Sequence, residues 1–385
     1  MHVETFIHKF LSSVIHKSRI KLLVCVLNAV FKTKQLTLTA LGRALDLPIQ
    51  ERSGIRKLDR FLSNKFFQNK NICIYQRIIN LVVGTKVRPI IIVDWTKLPN
   101  SKSHAIRAAV ATEGRAITIY EEMHPKINEN NTKIQSCFLS TLKQLLPSEC
   151  RPIIVTDAGF RGPWFRDVLK LNWDYVGRVL HSNTCYNDGN KIRKCTSLYK
   201  FATTSPKHLG KMILNNRDGL ETSFYLIKQK PKGRKHYLQD GNISTDRDSR
   251  YYATSNSKPW LLVSSLKGIF AAKKVTDIYK RRMTIEENFR DMKSAKYGFG
   301  LRENKTIRAE RLAVWILLSS LASFIAWIIG SIAERLNLHY QFQANSIKKR
   351  RVLSLFYLGC QVIRKKIKIP IDFNKWDFDF REIYV

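Results

Sequence analysis

The segment Asp277-Ile-Tyr-Lys-Arg-Arg-Met-Thr-Ile-Glu-Glu-Asn-Phe-Arg-Asp-Met-Lys293 sets one carboxylate, Glu286, among three groups suited to phosphate: Tyr279, Arg282 and Lys293. Drawn as one helix at roughly 100° per residue, the four fall within an arc of about 60°. Ile278, Ile285, Phe289 and Met292 fill the adjoining stripe, which predicts that the helix presses on a core. Glu287 points roughly opposite that stripe, towards solvent, so the geometry favours Glu286 over its neighbour. A charged surface helix with incidental pairing explains the same residues, and on this run alone the two readings stand level.

Two further carboxylates complete a chemistry. Asp94 closes the apolar run Pro89-Ile-Ile-Ile-Val-Asp-Trp95, and Asp157 closes Pro152-Ile-Ile-Val-Thr-Asp-Ala-Gly159. Each alone reads as a turn or cap at a strand end. Two carboxylates at the ends of adjacent buried strands would repel one another, and a divalent cation removes that cost. Oxygen donors at this density suit Mg²⁺, with Mn²⁺ as a substitute, and Glu286 would complete a two-metal site for in-line displacement at phosphorus.

The elements that must hold these residues follow from periodicity. Residues 1 to about 85 read as helices at Ile20–Phe31, Leu38–Leu47, Ser53–Leu62 and Ile72–Val83, with Thr39 and Ser53 as caps. The second and third make a helix-turn-helix outline. Arg56, Lys57 and Arg60 on the third can lie on DNA, and a solvated basic helix of a small bundle accounts for them nearly as well. Strands follow at Arg88–Val93, Ala105–Thr112 and Ala116–Tyr120, then helix Thr132–Leu146, strand Pro152–Thr156, helix Trp164–Leu171 and strand Tyr175–Leu180. That order, βββαβαβ, is the one expected of an α/β ribonuclease-H-like layer, a mixed sheet with helices on both faces. Residues 182 to 262 interrupt it as a β-rich insertion with strands Thr222–Lys228 and Trp260–Ser264 and a basic loop, Lys228-Gln-Lys-Pro-Lys-Gly-Arg-Lys-His236.

Composition bounds the partner. The chain of 385 residues carries 67 Lys and Arg against 30 Asp and Glu, net +37, so its potential attracts a polyanion. Nucleic acid leads; charge alone gives a partner class and no reaction. Seven scattered cysteines without a Cys-x-x-Cys pair fit a reduced intracellular protein, and no histidine has zinc-ligand spacing with a cysteine. No secretory signal is evident. Leu312 to Ala333 lacks any charge and is long enough to span a bilayer, but its serines and its isolation favour a buried core helix.

The spacing Tyr279-x2-Arg282-x3-Glu286-x6-Lys293 resembles the Y-R-E-K signature of DDE transposases of the insertion-sequence-four family. Val-Asp-Trp95, Thr-Asp-Ala-Gly-Phe160, Tyr297-Gly-Phe-Gly-Leu-Arg302, Phe342-Gln-Ala-Asn345 and Leu36-Thr-Leu-Thr-Ala-Leu-Gly42 resemble the family too, so the likeness covers nearly the whole chain. It implies five segments: an all-α DNA-binding region 1–85, a ribonuclease-H-like core 86–181, a β-rich insertion 182–264, a second core part 265–345, and a helical C-terminal region 346–385 that serves dimerisation. By resemblance Asp94, Asp157 and Glu286 would hold two Mg²⁺, and Tyr279, Arg282 and Lys293 would grip phosphates beside the cut. Trp260 matches a tryptophan that stacks on a flipped base, and Arg178 a basic strand position that contacts DNA. For Trp260 a place in the core of the insertion strand is the competing reading.

The resemblance further implies cut-and-paste transposition through a hairpin, on double-stranded DNA supplied as terminal inverted repeats and target. A homodimer paired on two DNA ends is implied, in a bacterial cytoplasm at the nucleoid, with neither a membrane nor a small-molecule cofactor. The C-terminus, Trp376-Asp-Phe-Asp-Phe-Arg-Glu-Ile-Tyr-Val385, stops somewhat early for the family, which puts tail-mediated dimer contacts in doubt. A nuclease on the same fold and a non-enzymatic DNA-binding regulator are the competing functions.

Overall fold

A computed structural model describes the chain except residues 1, 70, 86, 100–101, 181–183, 190, 216–218, 230–241, 244–257, 267–271, 345, 348 and 371–385. Most of the basic loop 228–236, Asn345 and the terminal segment 376–385 thus lie outside the described residues. The helices are α1 (His2–Leu11), α2 (Lys17–Thr33), α3 (Leu38–Ala44), α4 (Glu51–Leu62), α5 (Lys65–Asn69), α6 (Ile72–Val82), α7 (Thr132–Leu145), α8 (Gly162–Lys170), α9 (Ala272–Lys280), α10 (Met283–Lys293), α11 (Ala309–Arg335) and α12 (Leu355–Arg364). The strands are β1 (Ile90–Lys97), β2 (Ser103–Ala111), β3 (Ala116–Pro125), β4 (Ile153–Thr156), β5 (Asp174–Val179), β6 (Cys185–Asn187), β7 (Ile192–Lys194), β8 (Lys207–Leu214), β9 (Leu220–Ile227) and β10 (Trp260–Ser264).

These elements form two compact units, one of Met1–Asn131, Thr141–Cys150 and Met283–Val385, the other of Thr132–Ser140 and Arg151–Arg282. The N-terminal helices belong to the first unit together with β1–β3 and α10–α12. Two expected caps move. Thr37, in extended backbone, accepts from the Ala40 amide and starts α3, so Thr39 lies inside the helix. The next helix begins at Glu51 after Gln50, which makes no side-chain cap, so Ser53 falls in its first turn, where Glu51 complements the helix dipole.

In the first unit β1, β2 and β3 run antiparallel, with a bulge between Ala108 and Ala109. Strand β1 is longer than its apolar run predicts. Asp94 is therefore not terminal: it pairs directly with Arg107, and Trp95, Thr96 and Lys97 continue the ladder. The apolar stretch ends at Asp94 because a charged row begins there, not because the strand does. Helix α11 is hydrophobic all round, and 89% of its most apolar window is buried, as a core helix requires. It crosses α12 closely, Gly330 against Leu355 and Gly359 against Ala326.

In the second unit β4 and β5 are parallel through the crossover helix α8, and β10 adds antiparallel to β5. Strands β9, β8, β6 and β7 follow in spatial order. The residues that interrupt the expected core thus extend its sheet instead of forming a separate layer. Sequence patterning foresaw β9 and β10, whose side chains are mostly buried, and missed β6, β7 and β8, which are very short or largely exposed.

Candidate active site

The helix predicted from Asp277 to Lys293 is two helices. Helix α9 ends at Lys280, Arg281 and Arg282 turn, and α10 starts at Met283, where the division between the units falls. Tyr279 and Arg282 thus belong to the second unit, Glu286 and Lys293 to the first, and the single-helix arc does not exist. The apolar residues are buried as expected, Ile278 on α9 and Ile285, Phe289 and Met292 on α10.

Within the first unit α10 packs on β1, β2 and β3, and the contact is built from charge. Directly opposed residues Asp94, Arg107 and Glu121 form one row across the three strands. The side chains of Arg107 and Glu121 are each 1% exposed and form an ion pair at 2.5 Å, with a second hydrogen bond from Arg107 Nε at 2.8 Å. The Tyr75 hydroxyl (2.7 Å) and the Ser320 hydroxyl (2.8 Å) donate to the other Glu121 oxygen. Burial and the Glu121 charge push the Tyr75 phenol well up, so it remains a donor. Arg107 also donates to Asn288 of α10 and lies over the Phe289 ring, while Asn288 donates to the Ala116 carbonyl at 3.1 Å. A buried pair satisfied this fully is costly to break and specific in geometry.

Glu286 is exposed on α10, whereas Glu287 does not point to open solvent as the helical arc implied. Glu287 lies 3.8 Å from Arg115, in the turn between β2 and β3, and 2.5 Å from Arg290. Arg115 also binds Asp291 at 2.5 Å; burial pushes the Asp291 carboxyl up to about 6, partly offset by Arg115. Both acids are thus engaged in docking the helix.

Lys293, at the C-terminal end of α10, donates to the Thr96 hydroxyl at 2.6 Å. Burial, with Arg107 and Arg302, lowers its pKa to about 8, while the Asp94 charge opposes that shift. Asp94 itself is 9% exposed and accepts from the Trp95 amide at 2.9 Å. The first unit therefore brings Asp94 and Lys293 into one electrostatic neighbourhood and carries Glu286 on the same helix as Lys293.

In the second unit Asp157 follows β4 and uses one oxygen on the Gly159 amide, at 2.8 Å, the turn geometry its sequence suggested. Tyr279 is buried, 3% exposed, with its ring edge-on to Trp260 at 5.0 Å. Trp260 is half-buried at the start of β10. Arg178 on β5 has Nε and Nη2 buried without a hydrogen-bond partner among the described residues, a donor set that an anionic group would satisfy. Arg56, Lys57 and Arg60 are exposed on α4 of the first unit. Among the described residues no group of three His, Cys, Asp or Glu lies close enough to hold a metal ion. Each of Asp94, Asp157 and Glu286 offers carboxylate oxygen, the donor type a hard divalent cation takes.

The sequence profile of a family described as transposase DDE domain matches residues 85–325, more than half of the chain. The chain belongs to that family. It is a transposase-type enzyme by that membership, and its mixed α/β architecture is consistent with a ribonuclease-H-like transposase fold. The matched span includes Asp94, Asp157, Glu286 and the whole Arg107 row. No curated protein matches the chain. Arg107, Glu121 and Asn288 were missed in the sequence. A signal for Arg107 was present, a single charge inside the apolar run Ala105-Ile-Arg-Ala-Ala-Val110, whereas Glu121 stands beside Glu122 where the apolar part of its strand ends.

Proposed function

We propose that this enzyme is a cut-and-paste DNA transposase of the insertion-sequence-four type, similar in its motifs to the transposase of insertion sequence ten. The observation that carries the proposal is the Asp94 row with α10 docked on it, which keeps Lys293 beside Asp94 and Glu286 on an exposed face of the same helix. In this reading Asp94, Asp157 and Glu286 would hold two Mg²⁺, for which Mn²⁺ would substitute. When bound, the ions supply activation of the attacking oxygen and stabilisation of the leaving oxygen.

The chain's own residues bind and orient the DNA. Lys293 and Arg282 offer charge to the phosphates flanking the cut and Tyr279 a hydroxyl, once its buried ring is reached. Trp260 offers a flat face to a base swung out of the duplex, and Arg178 its unpaired donors to a phosphate. Arg56, Lys57 and Arg60 of the N-terminal helical region contact the inverted repeat. Water nicks one strand at each end of the element, and the freed 3′-hydroxyl attacks the opposite strand to form a hairpin. A second water opens it, and the 3′-ends join the target. The protein acts as a homodimer pairing two ends, in the cytoplasm at the nucleoid.

The test is cleavage of duplexes carrying the element's own terminal repeats, by purified protein with Mg²⁺. Nicking followed by a hairpin, both lost in Glu286→Gln, is the expected result. Ends left uncut by wild type and variant alike would overturn the reading. Nicks without a hairpin would favour a simple nuclease.

A further inference from the structure

Four residues past Lys293, the chain exposes an aromatic ring that the reaction scheme does not use. Tyr297 is 55% exposed, while its near neighbour Phe299 is fully buried against Phe31 and Phe356. Two cations attend the ring: Lys296 Nζ lies 5.2 Å and the Arg290 guanidinium 5.9 Å from its centroid. Arg290 is itself half-exposed and shares its charge with Glu287. On α10 the spacing of Glu286, Arg290 and Lys293 puts the three on one stripe, and the contact with Arg290 places the Tyr297 ring, in the turn after the helix, beside it.

The ring is presented from a constrained turn. The Tyr297 amide donates to the Ser294 hydroxyl, the Gly298 and Gly300 amides to the Ser294 carbonyl, and the Phe299 amide to the Asp291 carbonyl. Only glycine fits at 298, where a Cβ would stand 1.9 Å from the Asp291 carbonyl oxygen, and Gly300 has φ +65°. A turn this constrained fixes the backbone from which the exposed aromatic projects, so binding has only the side chain left to order.

We infer that Tyr297, with Arg290 and Lys296, is a nucleotide-binding platform beside the carboxylate face: a base of an unpaired or frayed DNA strand stacks on the ring while its phosphates meet the two cations. A stacked base and flanking phosphates match an aromatic between cations. A second copy of a chain with net charge +37 would instead bring like charges together. The inference rests on the transposase reading, since it takes the DNA of that reading as its ligand.

The experiment measures binding without metal, so that cleavage does not enter. The probes are a short thymidine oligonucleotide containing one 2-aminopurine and a terminal-repeat duplex with its last three nucleotides unpaired. Tyr297→Ala should weaken both by about fivefold or more and abolish 2-aminopurine quenching, whereas Tyr297→Phe and Tyr297→Trp should keep both properties. Equal thermal stability of the four proteins excludes a folding cause. Tyr297→Ala binding within twofold of wild type, with quenching intact, overturns the inference while leaving end cleavage untouched. Loss of self-association in the variant with unchanged DNA binding also overturns it, assigning the ring to a second copy. Wild-type protein that binds neither probe and cuts no end overturns the transposase reading itself.

Discussion

Replacing Arg107 by Met separates the two tasks of the buried row. The guanidinium is 1% exposed, and its removal leaves the Glu121 carboxylate, among the described residues, with the Tyr75 and Ser320 hydroxyls, both on one oxygen. Breaking a buried ion pair by deleting one partner costs about 3–5 kcal/mol. Urea denaturation of Arg107→Met should therefore show that loss, and Glu121→Leu alone a comparable one from the unpaired arginine. The double variant Arg107→Met/Glu121→Leu should cost clearly less than the two single losses added together, because no unpaired charge is left buried, although the Tyr75 and Ser320 hydroxyls lose their acceptor. Activity should not recover to the same degree. Asn288 has lost the Arg107 donor, one of the bonds that dock α10, and displacement of a reacting group by about 1 Å costs roughly a hundredfold in rate. Single-turnover nicking of a terminal-repeat duplex reads this directly. A single variant costing under about 1 kcal/mol, or a stable double variant that nicks at the wild-type rate, refutes the positioning role.

Lys293, lowered to about 8, should lose its proton as pH rises through that value. Affinity for the terminal repeat should fall between pH 7 and 9 in wild type but stay flat in Lys293→Arg, whose guanidinium remains charged. The sign for stability is opposite: a base depressed from 10.5 binds fewer protons folded than unfolded, so the burial cost is full below pH 8 and is relieved towards 10.5. Gly359→Ala places a Cβ 1.8 Å from the Ala326 carbonyl oxygen where α12 meets α11, so the helices must part; a loss of about 1–3 kcal/mol in urea denaturation is expected, and an unchanged midpoint would contradict the close crossing.

Much of the fold was legible because its elements are regular. The strand β10 was located to the residue, and α6 to within one, since buried apolar runs mark both. What failed was each inference that treated a local pattern as complete. The Asp277–Lys293 arc assumed an unbroken helix, but Arg281 and Arg282 turn, leaving Tyr279 buried on α9 and Glu286 exposed on α10. The helical projection turns Glu287 to solvent because it cannot see Arg115, far away in sequence. Asp94 was put at a strand end because hydrophobicity stops there, although hydrogen bonding does not.

By itself the sequence determined the net charge of +37, the apolar runs that become the core elements, and membership of the transposase DDE domain family, because these are properties of order and composition. Only the tertiary structure decided which charges are held and by what. Arg107 meets Asn288 across a long stretch of chain because strand register and helix docking bring them together, and burial then makes their hydrogen bonds worth keeping. Burial and through-space charge likewise set the Lys293 pKa, and no local spacing encodes either.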